Sequence, residues 1–276
     1  MSAQGQGQGQ GRAMTAGAVR ARKGGEPLVC LTAYDAPTAA LLDPHCDVLL
    51  VGDSVGMVVH GLPSTVGVTL EMMILHGQAV MRGASTALVV IDLPFGTYET
   101  GPEDAFRAAA RVLGETGAGA VKIESGTYAG DTVRYLTERG VPVMAHVGLR
   151  PQASLATGFK AKGRSSIESD AVLAEARAAD EAGAFAIVVE GVDEALAREV
   201  TTLVAAPTIG IGASPACDGQ ILVTPDMLGL FERTPKFVRE YADLRGLVTG
   251  AAERYASDVR SRTFPGGAET YRLRKD

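Results

Sequence analysis

The sequence lacks the features that would place it in several large classes of protein. Its three cysteines, Cys30, Cys46 and Cys217, are scattered without a CxxC spacing. This pattern indicates reduced thiols rather than a disulfide framework or a zinc site. No apolar run approaches the roughly 18 residues that a membrane-spanning helix needs, and no secretory signal precedes the folded part. We therefore predict a cytoplasmic protein with no membrane partner.

Common catalytic and nucleotide-binding motifs are also missing. The chain has no Walker sequence, no GxSxG elbow and no HExxH pair. The glycine-rich stretch GIGA at 210–213 is too short to predict a dinucleotide site. A net charge of −6 disfavours nucleic acid as a general partner. The function must therefore come from a different arrangement of residues.

The composition predicts one enzyme-sized domain between two irregular ends. Hydrophobic residues form 46% of the 276-residue chain, which is enough for a large core. The Gln/Gly-rich start MSAQGQGQGQG cannot bury enough apolar surface to offset its ordering entropy. We predict a disordered leader at 1–24, a catalytic domain at 25–264 and a C-terminal tail at 265–276.

Strand-like and helix-like stretches alternate through the predicted domain. Eight strands followed by helices favour a (β/α)8 TIM barrel within the α/β class, and a doubly wound open sheet is the alternative. The predicted strands cover 27–32, 48–53, 87–92, 120–124, 141–146, 186–190, 208–212 and 220–223. The predicted helices cover 36–42, 70–82, 102–116, 131–139, 167–182, 193–204, 227–231 and 248–260.

Four of these apolar runs end in a carboxylate. VLLVGD ends at Asp53, ALVVID at Asp92, AVKIE at Glu124 and FAIVVE at Glu190. In a barrel the carboxyl ends of the strands meet at one mouth, where catalytic residues lie. Carboxylates close together in a low dielectric repel strongly and need protons or a cation. The pattern therefore predicts a divalent metal near the mouth.

Lys122 strengthens this functional interpretation. Lys122 and Glu124 are two residues apart in one strand, so their side chains point to the same side, while Val121 and Ile123 face the helices. A lysine inside a barrel is costly unless it meets an anion. Any one acid could instead be a helix cap or a salt-bridge partner. All four acids together with the lysine are harder to explain structurally.

The histidines give weaker signals. His146 closes the predicted fifth strand, so it could bind substrate at the mouth or simply be hydrogen-bonded within a packed loop. His76 lies in the helical stretch LEMMILHGQAVMRG, and we interpret it as a packing or capping residue. His45 and His60 have no pattern that predicts a role.

Several of these segments, taken in order, resemble the ketopantoate hydroxymethyltransferase family. The resemblance runs from about residue 31 to 264 and includes LTAYDAPTA at 31–39, LLVGDSVGMVVHG at 49–61, IDLPFGTY at 91–98, AVKIESG at 120–126, VPVMAHVGLRPQ at 141–152, VVEGV at 188–192 and the TIGIGA…CDGQILV stretch at 208–223. So many motifs over most of the chain make the match specific.

The resemblance implies roles for particular residues. It places Asp53, Asp92 and Glu124 around a magnesium ion, although other divalent cations are possible. It assigns binding of the oxo acid to Asp53, Ser54, Asp92 and Lys122, and the role of base to Glu190. Magnesium prefers such hard oxygen ligands. His146 is a possible further substrate contact.

The family also implies a reaction and an assembly. A hydroxymethyl group would pass from methylenetetrahydrofolate, the co-substrate, to 3-methyl-2-oxobutanoate in pantothenate synthesis. Glu190 would remove the C3 proton, and the metal would stabilise the enolate that forms. By resemblance the protein would be a homo-oligomer, typically a decamer.

Two alternatives differ from this hypothesis. The chain could be another metal-dependent oxo-acid lyase or aldolase on a related barrel. Such lyases carry a KKCGH motif, however, and this sequence has none. It could also be a non-catalytic barrel that serves as a scaffold, but such a protein would be expected to lose at least one of the acids or Lys122.

Overall fold

Eight parallel strands form a closed barrel, as the alternation predicted. The computed structural model describes residues 13–126, 128–153, 158 and 162–271. Each strand pairs with the next along the chain, and β8 closes on β1. The strands are β1 Leu28–Thr32, β2 Val48–Val51, β3 Leu88–Asp92, β4 Ala120–Glu124, β5 Val143–Gly148, β6 Ala186–Glu190, β7 Thr208–Ile211 and β8 Gly219–Leu222. The TIM-barrel prediction is confirmed, and the open-sheet alternative is wrong.

Helices follow the strands and cover the outside of the barrel. Those within the barrel unit are α1 Ala16–Arg20, α2 Ala36–Leu42, α3 Val55–Val58, α4 Leu70–Gly83, α5 Pro102–Thr116, α6 Ala129–Glu138, α7 Ser166–Glu181 and α8 Glu194–Leu203. Their starts follow the expected chemistry. Thr69 and Ser165 cap α4 and α7 with their side chains, and Pro102 opens α5 with acids in its first turn.

Two strands that carry predicted site residues end two residues away from the predicted position, while β7 and β8 each end one residue earlier than predicted. β2 stops at Val51, so Asp53 lies in the turn beyond it, because the chain bends there into α3. β5 continues to Gly148 because it pairs with β6 as far as Glu190, so His146 lies within the strand rather than closing it. Both residues remain at the carboxyl end of the barrel.

The described part of the predicted leader, residues 13–24, is ordered rather than disordered. Thr15 caps α1, and Val19 of this helix is fully buried in the cluster that fills the barrel interior. Lys23 forms an ion pair with Asp218 at 2.9 Å, and the Gly24 N–H donates to the same carboxylate. The helix is therefore part of the barrel's packing. The rest of the predicted leader, residues 1–12, lies outside the described residues.

The described chain divides into two compact units, the first ending at Val223 and the second starting at Thr224. The predicted domain at 25–264 therefore includes residues of both. The second unit contains α9 Thr224–Met227 and α10 Leu244–Ser261. Asp243 caps α10 by accepting the Gly246 N–H. We predicted these helices at 227–231 and 248–260. Across the described ranges, no helix combines the length and the apolar character needed to cross a membrane.

Side chains of successive strand residues point to opposite faces of the barrel wall and so contribute to two separate hydrophobic cores. One cluster lies between strands and helices and includes Val121 and Ile123, as predicted. The other fills the barrel interior and takes every second residue of the strands, including Leu88 and Val90 of β3. The next residue of the same parity in β3 is Asp92. The interior thus changes from apolar to charged as the strands approach the mouth.

Asp43, in the short 3-10 helix Asp43–His45, holds the entrance to β3. Its carboxylate accepts hydrogen bonds from the backbone N–H of Thr86 and Ala87 and from the hydroxyls of Ser85 and Thr86, at 2.8–3.0 Å. Burial alone would raise the pKa of this carboxyl, but these hydrogen bonds prevail and lower it to about 2. The segment before β3 is therefore anchored by an ionised carboxylate.

We predict that Asp43→Asn lowers the free energy of unfolding by about 2 kcal/mol at neutral pH. Because the pKa in the folded state lies below the unfolded value of 3.8, this stabilisation is present above pH 4 and is lost as the pH falls towards 2. Urea unfolding at pH 7 and pH 3 would show the gap between wild type and variant narrowing. Asp170→Asn, at an exposed position, serves as the control. A gap that stays constant with pH would contradict the prediction.

Candidate active site

A buried ion pair links β3 and β4 at the mouth of the barrel. Asp92 and Lys122 are register partners, and Lys122 Nζ lies 2.7 Å from Asp92 Oδ1. The other carboxylate oxygen, Asp92 Oδ2, accepts the backbone N–H of Asp53 at 3.0 Å. Asp92 therefore fixes both the lysine and the turn after β2. A Cβ at Gly52 would lie 2.9 Å from Ser54 Oγ, so this tight turn favours glycine.

Lys122 remains charged despite its burial. Removal from water would lower the pKa of this lysine, but the charges of Asp92, Asp53 and Glu124 outweigh that effect and raise the pKa above its ordinary value. The ammonium group thus faces more than one carboxylate. This is the anion partner that the sequence required for a lysine inside the barrel.

Gln152 bridges two of the predicted acids. Its side-chain amide donates to Asp53 Oδ2 at 2.9 Å and to the Leu93 carbonyl at 3.0 Å. Its backbone N–H donates to Glu124 Oε2 at 3.1 Å. The Tyr98 hydroxyl donates to Gln152 Oε1 at 2.5 Å and accepts the backbone N–H of Glu124 at 3.3 Å. Gln152 and Tyr98 therefore hold Asp53 and Glu124 in place.

The acids carry more negative charge than their surroundings neutralise. Burial, followed by the charge of Asp92, raises the pKa of Asp53 to about 7, although Lys122 and Gln152 oppose the rise. Burial and the charge of Asp53 likewise raise the pKa of Glu124 above its ordinary value. Such raised values are typical of groups that await a proton or a cation.

His146 lies between Glu124 and Glu190. Its Nε2 is 3.3 Å from Glu190 Oε2, and its Nδ1 is 3.9 Å from Glu124 Oε1. Among the described residues, neither ring nitrogen makes a contact with hydrogen-bond geometry. Burial lowers the pKa of His146, so the ring is neutral near pH 7. A buried imidazole with two unsatisfied nitrogens can accept a ligand group or a proton.

Glu190 is the most accessible of the four strand-end acids. Its side chain keeps 17% of its surface exposed, compared with 3% for Asp92 and 4% for Glu124. Ser54, also partly exposed, lies beside the Asp53 turn and shares a hydrogen bond of 2.8 Å with the Tyr34 hydroxyl. The structure thus brings together all seven predicted residues at one end of the barrel.

Three contributors were missed by the sequence analysis: Tyr34, Tyr98 and Gln152. Tyr34 and Tyr98 lie in loops after strands and Gln152 lies in the short 3-10 helix Pro151–Ala153 after β5, and no charge or metal-ligand spacing singles them out. The available signal was their position inside segments that resemble the family: LTAYDAPTA, IDLPFGTY and VGLRPQ. Their burial in this site, rather than their residue type, identifies them.

The donor set suits a hard divalent cation. Asp53, Asp92 and Glu124 offer buried carboxylate oxygens, and the raised pKa values of Asp53 and Glu124 indicate negative charge that a cation would relieve. In the part of the chain that the structure describes, no three Asp, Glu, His or Cys side chains stand in an arrangement that could hold a metal ion. The donor chemistry of the three carboxylates fits such a cation, although their present partners are Lys122 and Gln152.

A closed barrel with acids, a lysine and a neutral histidine at its carboxyl end defines an enzyme of the (β/α)8 class. Comparison with known proteins agrees. The family model described as ketopantoate hydroxymethyltransferase matches residues 13–267. The chain belongs to the ketopantoate hydroxymethyltransferase family, which confirms the predicted resemblance and argues against a non-catalytic scaffold.

Curated relatives match over nearly the whole chain. It is 69% identical over 258 residues to 3-methyl-2-oxobutanoate hydroxymethyltransferase of Hyphomonas neptunium, covering 93% of this chain and 94% of the relative. It is 64% identical to the enzyme of the same name from Maricaulis maris, covering 100% of this chain and 99% of that one. These relatives favour the transferase over the lyase alternative.

Solved structures with low sequence identity share the fold. A crystal structure of 2,3-dimethylmalate lyase, described as a PEP mutase/isocitrate lyase superfamily member, matches with a TM-score of 0.60 at 18% identity and covers 93% of this chain and 88% of its own. Phosphonopyruvate hydrolase complexed with oxalate and Mg++ matches with a TM-score of 0.59 at 14% identity, covering 94% and 93%. At these identities the likeness concerns the barrel alone.

We predict that Lys122→Met lowers the free energy of unfolding by about 3 kcal/mol or more, because it leaves buried carboxylates without their cation. Asp92→Asn should cost less, since Asp53 and Glu124 remain near the lysine. The loss in free energy of unfolding of the double variant should be smaller than the sum of the losses of the two single variants. Urea unfolding of all three variants would measure these losses.

The matched control for this cycle is the exposed pair of Arg107 and Asp104, whose side chains are 64% and 53% exposed. Arg107→Met should change the free energy of unfolding by less than about 1 kcal/mol. Strict additivity of Lys122→Met and Asp92→Asn would show that the two groups do not stabilise one another.

Proposed function

We propose that this chain transfers a hydroxymethyl group from 5,10-methylenetetrahydrofolate to 3-methyl-2-oxobutanoate, giving 2-dehydropantoate and tetrahydrofolate in pantothenate synthesis. The observation that carries the proposal is a buried lysine among carboxylates at the barrel mouth of a chain belonging to this family. The names of its curated relatives support the choice of oxo acid. One water molecule balances the reaction by supplying the product's hydroxyl oxygen.

Asp53, Asp92 and Glu124 would hold magnesium or another divalent cation. When bound, that cation would supply Lewis-acid chemistry to the keto and carboxylate oxygens of the oxo acid. Raised pKa values of Asp53 and Glu124 support this assignment. Each of the three is a hard oxygen donor of the kind that magnesium selects.

Lys122 and Ser54 would bind the oxo acid. The Lys122 ammonium already faces anionic oxygens, so it suits a substrate carboxylate or an oxygen that gains negative charge. Ser54 offers a partly exposed hydroxyl, which Tyr34 orients through a hydrogen bond of 2.8 Å. Together they would fix the oxo acid with its C3 hydrogen directed towards Glu190.

Glu190 would act as the base. It is the most accessible of the four strand-end acids, and the contact described for its carboxylate is with the neutral ring of His146. Its oxygen would take the C3 proton, and the electron pair of the broken C–H bond would then form the new bond from C3 to the one-carbon unit. Neutral His146, 3.3 Å from Glu190 Oε2, would contact the substrate or the protonated Glu190. The homo-oligomer, expected to be a decamer, stays a prediction.

Replacement of Glu190 tests the base directly. In Glu190→Gln we expect kcat to fall by a factor of about 10² to 10⁴, because the amide cannot accept the proton. The rate at which the C3 hydrogen of 3-methyl-2-oxobutanoate exchanges with D₂O, monitored by NMR in the absence of folate, should fall by a similar factor. Glu199→Gln, at an exposed helix position, is the control. If the folded Glu190→Gln variant exchanged the C3 hydrogen at a near-normal rate, Glu190 would not be the base.

Replacement of Gln152, which bridges Asp53 and Glu124, tests the metal assignment by a binding measurement that does not depend on catalytic activity. Hydrogen-bonded partners of metal ligands typically contribute about 10-fold to 100-fold in metal affinity. We therefore expect Gln152→Ala to weaken Mn²⁺ binding about tenfold, measured by electron paramagnetic resonance, and Tyr98→Phe to weaken it less. Gln78→Ala, which removes a side-chain amide that contacts only the Glu115 carbonyl in α5 among its described hydrogen bonds, should leave affinity unchanged. Wild-type protein that binds no Mn²⁺ or Mg²⁺ would refute the metal assignment itself.

A further inference from the structure

Two histidines outside the acid site meet at the rim of the barrel. His60 follows α3, while His76 lies in the second turn of α4, and their Nε2 atoms are 2.8 Å apart. The rings are nearly perpendicular, with an interplanar angle of 76°. His60 is exposed and His76 is partly buried. Two separate elements thus direct imidazole nitrogens towards one accessible point.

The proton positions on His76 follow from its second contact. His76 Nδ1 lies 2.7 Å from the backbone carbonyl of Tyr34. A carbonyl oxygen can only accept, so Nδ1 carries the hydrogen. In the neutral ring, Nε2 then presents a lone pair. His60 must supply the proton that the two Nε2 atoms share.

This arrangement is the one that metal-binding histidines show. Such residues usually donate their other ring N–H to a carbonyl or carboxylate, which fixes the tautomer and the direction of the lone pair. His76 is already held in that way by Tyr34. The exposed His60 ring can change tautomer, with its proton moving from Nε2 to Nδ1. Its Nε2 then also presents a lone pair, and the ring stays neutral.

The spacing requires only a small adjustment. Two nitrogens bound to one tetrahedral ion at 2.0–2.1 Å lie about 3.3 Å apart, which is about half an ångström more than the present 2.8 Å. Rotation of the exposed His60 side chain can supply this difference. Water would complete the coordination, because the pair offers two protein ligands.

We propose that His60 and His76 form a binding site for a divalent transition metal ion of the zinc type, separate from the acid site. Imidazole nitrogen favours Zn²⁺, Ni²⁺ or Cu²⁺, whereas the carboxylates of the mouth favour magnesium. The ion would tie the segment after α3 to α4. The helix α3, which precedes that segment, begins directly after Ser54, and Tyr34 contacts both His76 and Ser54. Bound metal would therefore restrain the serine's turn.

Zinc titration in the presence of excess Mg²⁺ tests this proposal. Calorimetry on the full chain should show a zinc site that weakens at least about tenfold in His60→Ala and in His76→Ala. The double variant should lose no more than either single variant, because the two residues share one ion. His45→Ala, an exposed histidine beside Cys46, is the control and should retain the site.

His60→Gln separates metal binding from the hydrogen bond. A glutamine N–H can still donate to His76 Nε2, but its amide oxygen is a poor ligand for zinc. Without zinc, this variant should keep the wild-type melting temperature. With zinc, it should lack the added hydrogen-exchange protection at residues 55–68 that the wild type gains.

Two results would overturn the proposal. Equal zinc affinity in wild type, His60→Ala and His76→Ala would show that the contact is only a hydrogen bond between two rings. Loss of the site in His45→Ala instead would move it to His45 and Cys46. Both results are independent of the reaction at the acid site, because no step of the titration requires turnover.

Discussion

The alternation of strand residues in a closed parallel barrel is the constraint on which the site depends. Leu88, Val90 and Asp92 share one parity in β3, and Ala120, Lys122 and Glu124 share one in β4. Alternate side chains of each strand point into the barrel. The aliphatic ones are therefore buried in the interior, and the charged ones that follow at the carboxyl ends of the strands meet there as well. Closure of β8 on β1 curves the sheet on itself, so that these residues face a common interior and not one side of an open sheet.

Charge balance explains why the mouth is polar yet ordered. Three buried carboxylates face the Lys122 ammonium, and amide groups of Gln152 contact two of them. Neutral His146 lies between Glu124 and Glu190, so an uncharged ring separates Glu190 from the other acids. Folding has placed an excess of negative charge where a positively charged partner gains the most.

Most of the architecture could be predicted from the sequence because its signals are local. Apolar runs of strand length predicted all eight strands, and terminal carboxylates predicted the charged mouth. Gln152, Tyr98 and Tyr34 could not be identified in this way, since their roles depend on loops that bring distant residues into contact. Gln152 and Asp53, for example, are 99 positions apart. Composition also misled us about α1, because Val19 is buried in the barrel interior and Lys23 pairs with Asp218, contacts that the Gln/Gly-rich composition does not show.

The helix α1 also has a consequence for how the chain can be shortened. Val19 fills the end of the barrel interior opposite the charged mouth, and Met14 and Ala16 pack beside it. A fragment that starts at Gly25 would retain every strand and every charged residue of the site. It would nevertheless expose the end of the barrel interior opposite the mouth to water, and Asp218 would lose its ion pair with Lys23. A fragment that keeps the packing of the barrel must therefore include α1 as well as the eight strands.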